Sequence, residues 1–167
     1  VFRRLSALPH VVFFDSAMRH PTLGRYSFVA ADPVEWITAP ADGKDALGNF
    51  GLRIADCGLA NRFSNPKSSL PPFQGGWAGM FGYELGRSLE RVPAAAMDEF
   101  QLPALAIGLY DVVAAFDHQQ QTSWLISQGI PESEPAARHE RATARLAKFR
   151  EHLSRSPATC GPCYAQQ

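Results

Sequence analysis

Apolar and polar positions along the chain alternate in short blocks that predict strands first and one long helix last. Residues 11–14 are a Val-Val-Phe-Phe run stopped by Asp15 and Ser16, the pattern of a short buried strand. Residues 25–31 predict a second strand closed by Asp32 and Pro33, and residues 34–38 continue it after a kink. Residues 39–49 read as a turn region, 50–54 as a weak strand and 58–72 as an exposed loop. A glycine-rich strand follows, then a short helix over 83–91 that Pro93 ends. The strongest strand signal covers 105–116; five polar residues from Asp117 to Gln121 interrupt it and 122–127 resume it, which predicts a β-hairpin closed by Gly129-Ile130-Pro131. Ser133 as N-cap and Pro135 in the first turn open a helix over 134–153. Its buried face is Ala142, Leu146, Phe149 and Leu153, spaced by four, three and four, with Glu134/Arg138 and Glu151/Arg155 as surface pairs. Residues 156–167 read as linker, and no internal repeat is present.

The stretch 73–90 is the most distinctive. Glycine recurs there at Gly76, Gly79 and Gly82. Strand alternation puts Trp77, Gly79, Phe81 and Tyr83 on one face and the nearly bare set Gly76, Ala78, Met80 and Gly82 on the other. A bare strand face admits another layer at close range. The elements together predict an α+β fold of mainly antiparallel sheet layers with flanking helices.

Composition narrows the class. A length of 167 residues is that of one domain. Sixteen basic and sixteen acidic residues leave no net charge, which argues against a nucleic-acid or membrane-surface partner. No apolar run approaches the ~18 residues of a membrane span. The first residues carry no signal-peptide pattern, and with Val1 in place of Met the chain is expected to begin within a longer protein. Three cysteines are too few for a disulfide scaffold, so a cytoplasmic location is expected.

Several apparent motifs have simpler readings. Cys160-Gly161-Pro162-Cys163 has the letters of a thioredoxin site, but that chemistry needs a helix after the first cysteine, and the motif lies at the chain end. As half of a zinc site it lacks two further ligands beyond Cys57 and scattered histidines. His139-Glu140 begins a zincin-like helix, yet Thr143 stands where the second histidine belongs. The glycines of 75–82 fit neither phosphate-loop spacing, so a packing role is expected. Arg138, Arg141, Arg145, Lys148 and Arg150 form a basic helix face expected to be solvated. Asp15, Asp111 and Asp117 fall at or near strand ends, where turn and cap roles are the commoner ones. No nucleophile elbow or acid–base pair is found.

Residues 73–93 resemble the N-terminal domain of component I of the chorismate-using anthranilate and aminodeoxychorismate synthases. Three further blocks agree in order: residues 4–9 leading into 13–16, residues 24–33, and residues 110–118. The ending Gly86-Arg87-Ser88-Leu89-Glu90 looks more like the aminodeoxychorismate branch.

The resemblance implies a domain over 1–155, followed by a linker (156–167) toward a chorismate-binding domain. It implies a component I-like sandwich of face-to-face sheets. The parent enzyme would aminate chorismate toward para-aminobenzoate and folate, using Mg²⁺ and ammonia from a glutamine amidotransferase partner. The family's Pro-Ile-Lys/Ala-Gly-Thr block and its acidic metal region are absent from these residues, so no catalytic or metal residue is expected here and this stretch alone is not expected to turn over chorismate. The family's tryptophan pocket maps by register onto Ser16, Leu23, Gly24, Arg25 and Tyr26, with Asp15 as a further candidate; the simpler reading is that Arg25 and Tyr26 pack and pair at a strand edge. Anthranilate synthase component I and a stand-alone small-molecule-binding domain remain open alternatives.

Overall fold

A computed structural model describes residues 1–16, 18, 20, 23–40, 47–48, 51, 70–91, 93, 97 and 99–155. Its elements are α1 (Phe2–Leu5), β1 (Val12–Phe14), β2 (Tyr26–Ala30), β3 (Glu35–Ala39), β4 (Gly76–Phe81), a 3₁₀ turn (Tyr83–Ser88), β5 (Leu105–Tyr110), β6 (Val112–Asp117), β7 (Thr122–Ser127) and α2 (Pro135–Ser154). The strands form two antiparallel sheets, one ordered β1-β2-β6-β7 and the other β3-β5-β4. Antiparallel layers with a long C-terminal helix are the fold class the sequence predicts.

The core is layered. Between the sheets lie Ala30 and Val113 from one and Ala78 and Tyr110 from the other, flanked by Val12, Phe28 and Phe73. Small side chains there let the sheets approach, as the bare face of the glycine-rich strand predicts. The opposite face of the first sheet presents Val29, Val112 and Ala114 to Phe149 and Leu153 of α2 and to Leu5 of α1. The outer face of the second sheet, with Leu105, Ile107 and Ala39, is covered by Leu85 from the 3₁₀ turn. β6 is therefore covered on both sides, which explains its unbroken apolar run.

Two connections between the sheets depart from expectation. The apolar run 105–116 is two strands: Asp111 alone separates β5 from β6, and the chain changes sheets there. Likewise β3 does not continue β2 after a kink but pairs with β5 in the other sheet. Both crossovers are gripped by Arg145. Its Nε donates to both carboxylate oxygens of Asp111 at 3.1 and 3.0 Å, and its Nη2 to Oδ1 at 2.8 Å. Nη1 donates to Asp32 Oδ2 at 2.5 Å and Nη2 to the Asp32 carbonyl at 2.6 Å. Lys148 Nζ adds a contact to Asp32 Oδ2 at 2.7 Å, and the guanidinium lies 5.3 Å from the Phe149 ring centre. Burial pushes the Asp32 carboxyl up, but the hydrogen bonds from Lys148 and Arg145 outweigh it and hold the group below its ordinary value.

The expected solvated basic face is thus corrected for four of its members, Arg145 and Lys148 among them. Besides Arg145, Arg138 Nε donates to the Gln128 carbonyl at 2.7 Å and Arg141 Nε to that of Ile130 at 2.6 Å. Arg138 is turned toward the β7–α2 connection, where its Nη2 also reaches Gln128 Oε1 at 3.2 Å. The Glu151–Arg155 pair forms at 2.5 Å on the surface. Glu134, not Ser133, is the N-cap, accepting from the Ala137 N–H at 2.8 Å. The helix expected over 83–91 is a shorter 3₁₀ turn. The Cys160–Cys163 motif, Cys57 and all of the weak strand 50–54 except Gly51 lie outside the described residues.

Gly79 explains why β4 needs glycine. Its φ is +152°, and an added Cβ would overlap the Ala106 carbonyl oxygen and sit 2.7 Å from Ile107 Cα. The close approach is to the neighbouring strand within the sheet. Gly79→Ala is expected to cost about 2–4 kcal/mol, measured by urea unfolding, whereas Gly48→Ala, with nothing within 4 Å, leaves stability unchanged.

Candidate functional site

The register Phe14↔Phe28 and Tyr26↔Asp117 brings the end of β1, the start of β2 and the end of β6 to one end of the first sheet. Charged and polar side chains collect there. Arg25 Nε and Nη2 both donate to Asp117 Oδ2, at 2.9 and 2.5 Å. Asp117 Oδ1 accepts the backbone N–H groups of Gln119 and Gln120 at 2.9 and 3.0 Å, closing the β6–β7 turn. Asp117 therefore takes the turn role its sequence position suggests, with an ion pair added. The Arg25 hydrogen bonds, helped by those two N–H groups against desolvation, push its carboxyl down to about 2.

Beside this pair, Ser27 Oγ donates to Asp15 Oδ1 at 2.5 Å and lies 2.5 Å from His118 Nε2. A hydroxyl has one proton. With that proton given to the carboxylate, His118 Nε2 must carry hydrogen and donate to Ser27. The Ser27 hydroxyl and the Ser16 backbone N–H, with the His118 ring nearby, hold the Asp15 carboxyl below its ordinary value. This order of donors is not that of an activated serine: a base would have to accept the Ser27 proton, and here the imidazole supplies one. Among the described residues no three His, Cys, Asp or Glu side chains converge as a metal site. Asp111, Asp32 and Asp117 are each paired with an arginine.

An aromatic ledge adjoins the polar cluster. Phe73 meets Phe14 edge-on at 6.2 Å and Phe28 edge-on at 5.7 Å, and Tyr26 stacks on Phe28 at 6.0 Å. Alternation puts Tyr26 and Phe28 on the face that looks toward the second sheet. Phe14 remains partly open to solvent.

The five residues expected to line a pocket are distributed as follows. Arg25 and Tyr26 are together, the guanidinium 4.9 Å from the ring centre. Gly24 is buried, and an added Cβ would overlap the Met18 carbonyl oxygen, so only glycine fits. Leu23 stands in solvent at 78% exposure, its N–H donating to His20 Nδ1. Ser16 follows β1, and its backbone is turned to Asp15. Sequence reasoning missed Ser27, His118, Phe14, Phe28 and Phe73 as neighbours of these residues. The signal that pointed there was the repeated placement of Asp15 and Asp117 at strand ends.

This arrangement sets an aromatic ledge beside an edge of mutually hydrogen-bonded polar groups. No protein-family model matches the chain. Over 135 residues it is 31% identical to aminodeoxychorismate synthase component 1 of Escherichia coli, covering 75% of this chain and 30% of that protein. Over 144 residues it is 33% identical to anthranilate synthase component 1 of Mycobacterium tuberculosis, covering 77% of this chain and 28% of that one. The chain is a homologue of component I of the aminodeoxychorismate and anthranilate synthases. It spans about a third of the length of these component I relatives. The crystal structure of anthranilate synthase component I from Streptococcus pneumoniae shares the fold, with a TM-score of 0.60 at 20% identity over 86% of this chain and 32% of that one. The relatives are synthases, so the family is enzymatic. No helix among the described residues is long and apolar enough to cross a membrane.

The depressed Asp117 carboxyl makes a signed prediction. Its stabilising effect is complete above the unfolded-state value of about 3.9 and fades as pH falls toward about 2. Asp117→Asn therefore lowers the Tm at pH 7, and the gap from the unmodified protein narrows steadily between pH 4 and pH 2 in a series of thermal melts.

Proposed function

We propose that the chain is the N-terminal scaffold part of a component I, residues 1–155 forming the domain and 156–167 leading toward a chorismate-binding domain. The complete protein aminates chorismate to 4-amino-4-deoxychorismate, taking ammonia from a glutamine amidotransferase and using Mg²⁺ held outside this chain. The observation that carries this reading is the 31% identity to the Escherichia coli aminodeoxychorismate synthase component over 75% of the chain. The ending Gly86-Arg87-Ser88-Leu89-Glu90 supports the same branch. The comparable match to the Mycobacterium tuberculosis anthranilate synthase favours anthranilate formation as the second reading.

Within this part, Ser16, Leu23, Gly24, Arg25 and Tyr26 form one side of a site for L-tryptophan. Two features support it: the aromatic ledge of Tyr26, Phe28, Phe14 and Phe73, and the hydrogen-bonding edge at Asp15 and Ser16. Arg25, committed to Asp117, would orient Tyr26 rather than meet the ligand's charge.

The product assay decides between branches. The complete gene product, supplied with chorismate, Mg²⁺ and ammonium, is expected to release 4-amino-4-deoxychorismate; anthranilate would reassign the branch, and no turnover of chorismate would remove the proposal. For the tryptophan site, calorimetry on the same protein should show binding that Ser16→Ala weakens roughly tenfold or more, the loss of one hydrogen bond to a charged head group. Unchanged affinity in that variant would remove Ser16 from the site.

A further inference from the structure

The edge strand β7 and the N-terminal turns of α2 border an open cleft of about 380 Å³, within the size range of small-molecule sites. Ser127 and Gln128 form one wall at the end of β7, and Ser133, Arg138 and His139 form the other. Pro135 and Ala142 supply its apolar surface. Register sets the cleft at the opposite end of the first sheet from Asp117, since Ser127 pairs with Val112 and Thr122 with Asp117. It is therefore separate from the strand ends that carry Asp15, Ser27 and His118.

The acceptors around the cleft are already engaged. The Gln128 carbonyl and Oε1 both accept from Arg138, at 2.7 and 3.2 Å. The Ile130 carbonyl accepts from Arg141, and the His139 carbonyl accepts the Thr143 hydroxyl at 2.9 Å. Glu134 spends its carboxylate on the Ala137 N–H, so the helix end is capped from within the chain. Donors are what the walls retain. Ser127 Oγ accepts the Gly129 N–H at 3.4 Å, which leaves its own proton to give. The two bonds to Gln128 use two of the five N–H groups of a guanidinium and fix its plane. Gly129, at φ +64°, lies so close that an added Cβ would overlap the Arg138 carbonyl oxygen and sit 2.9 Å from Arg138 Cγ, so the connection packs onto the arginine stem. An arginine fork held in place beforehand recognises an oxyanion with little ordering left to do.

We propose that the β7–α2 cleft binds a small organic oxyanion, a carboxylate or a phosphate monoester. Arg138 meets its charge, the Ser127 and Ser133 hydroxyls and the His139 ring flank the head group, and its apolar body rests on Pro135 and Ala142. Among the described residues no acidic side chain lines the cleft, so an anion meets no like charge in the walls. The site does not depend on the component I reading.

Histidine NMR on the complete gene product, labelled at the imidazole ¹³Cε1, tests it, with the His139 signal identified by its loss in His139→Gln. Phenyl phosphate and benzoate are the probes and benzyl alcohol is the uncharged control, all at constant pH. At least one of the anions should shift the His139 signal saturably, with half-saturation at about 1 mM or below, while His10, His20, His118 and His152 do not move. Which anion does so distinguishes phosphate from carboxylate. Arg138→Met should raise the half-saturation about tenfold, the loss of a charge-assisted hydrogen bond. Ser133→Ala leaves the Arg138–Gln128 contact in place; it should raise half-saturation about threefold and reads the same site if Arg138→Met does not fold. A shift that grows linearly, or equally at all five histidines, means an adventitious ion only and overturns the proposal. An equal response to benzyl alcohol, unchanged half-saturation in the folded variants, or no shift at all overturns it as well.

Discussion

A single guanidinium holds the two places where the chain passes from one sheet to the other. Asp32 follows β2 and Asp111 separates β5 from β6, and Arg145 binds both. Asp111 is fully buried, a position a carboxylate tolerates only with its charge and lone pairs satisfied. Arg145 meets that need with a planar fork of donors that lysine does not have. Asp32 has φ +52°, a left-handed conformation that aspartate adopts more readily than most residues. The corner is also stitched through the backbone: Val34 N–H donates to the Leu109 carbonyl and Gln128 N–H to that of Asp111, each at 2.8 Å. Helix, crossovers and hairpin end therefore meet at one point.

The strand ends that carry the candidate site lie away from those crossovers, at the opposite end of β2 and β6. There the first sheet is held by a second, separate set of contacts, Arg25 with Asp117 and Ser27 with Asp15 and His118. These groups are occupied with one another. They shape an edge beside the aromatic ledge.

Local pattern made the strands at 11–14, 25–31 and 122–127 legible, along with the hairpin turn at Asp117 and the long helix, because each is a property of neighbours in sequence. Sheet membership is not. The apolar run 105–116 contains its change of sheet at one residue, and hydrophobic periodicity carries no mark of it, since both strands are covered on two faces. Arg145 sits on the polar side of the helical pattern, where solvent is the default partner; its true partners are 34 and 113 residues away. The Arg25–Asp117 pair spans 92 residues and was equally out of reach. The family blocks, by contrast, located the Asp15–Ser16 and Arg25–Tyr26 segments without any of these contacts, and the fold brings both to the same sheet end.

A double-mutant cycle at the crossover tests the central claim most directly. Arg145→Met, Asp111→Asn and the double variant are unfolded in urea. If the guanidinium holds the corner, the double variant is less destabilised than the sum of the singles by about 2 kcal/mol or more, because removing both charges no longer leaves either one buried and unpaired. Additive losses within about 0.5 kcal/mol would show that Arg145 and Asp111 act independently and that the sheets are held together without the clamp.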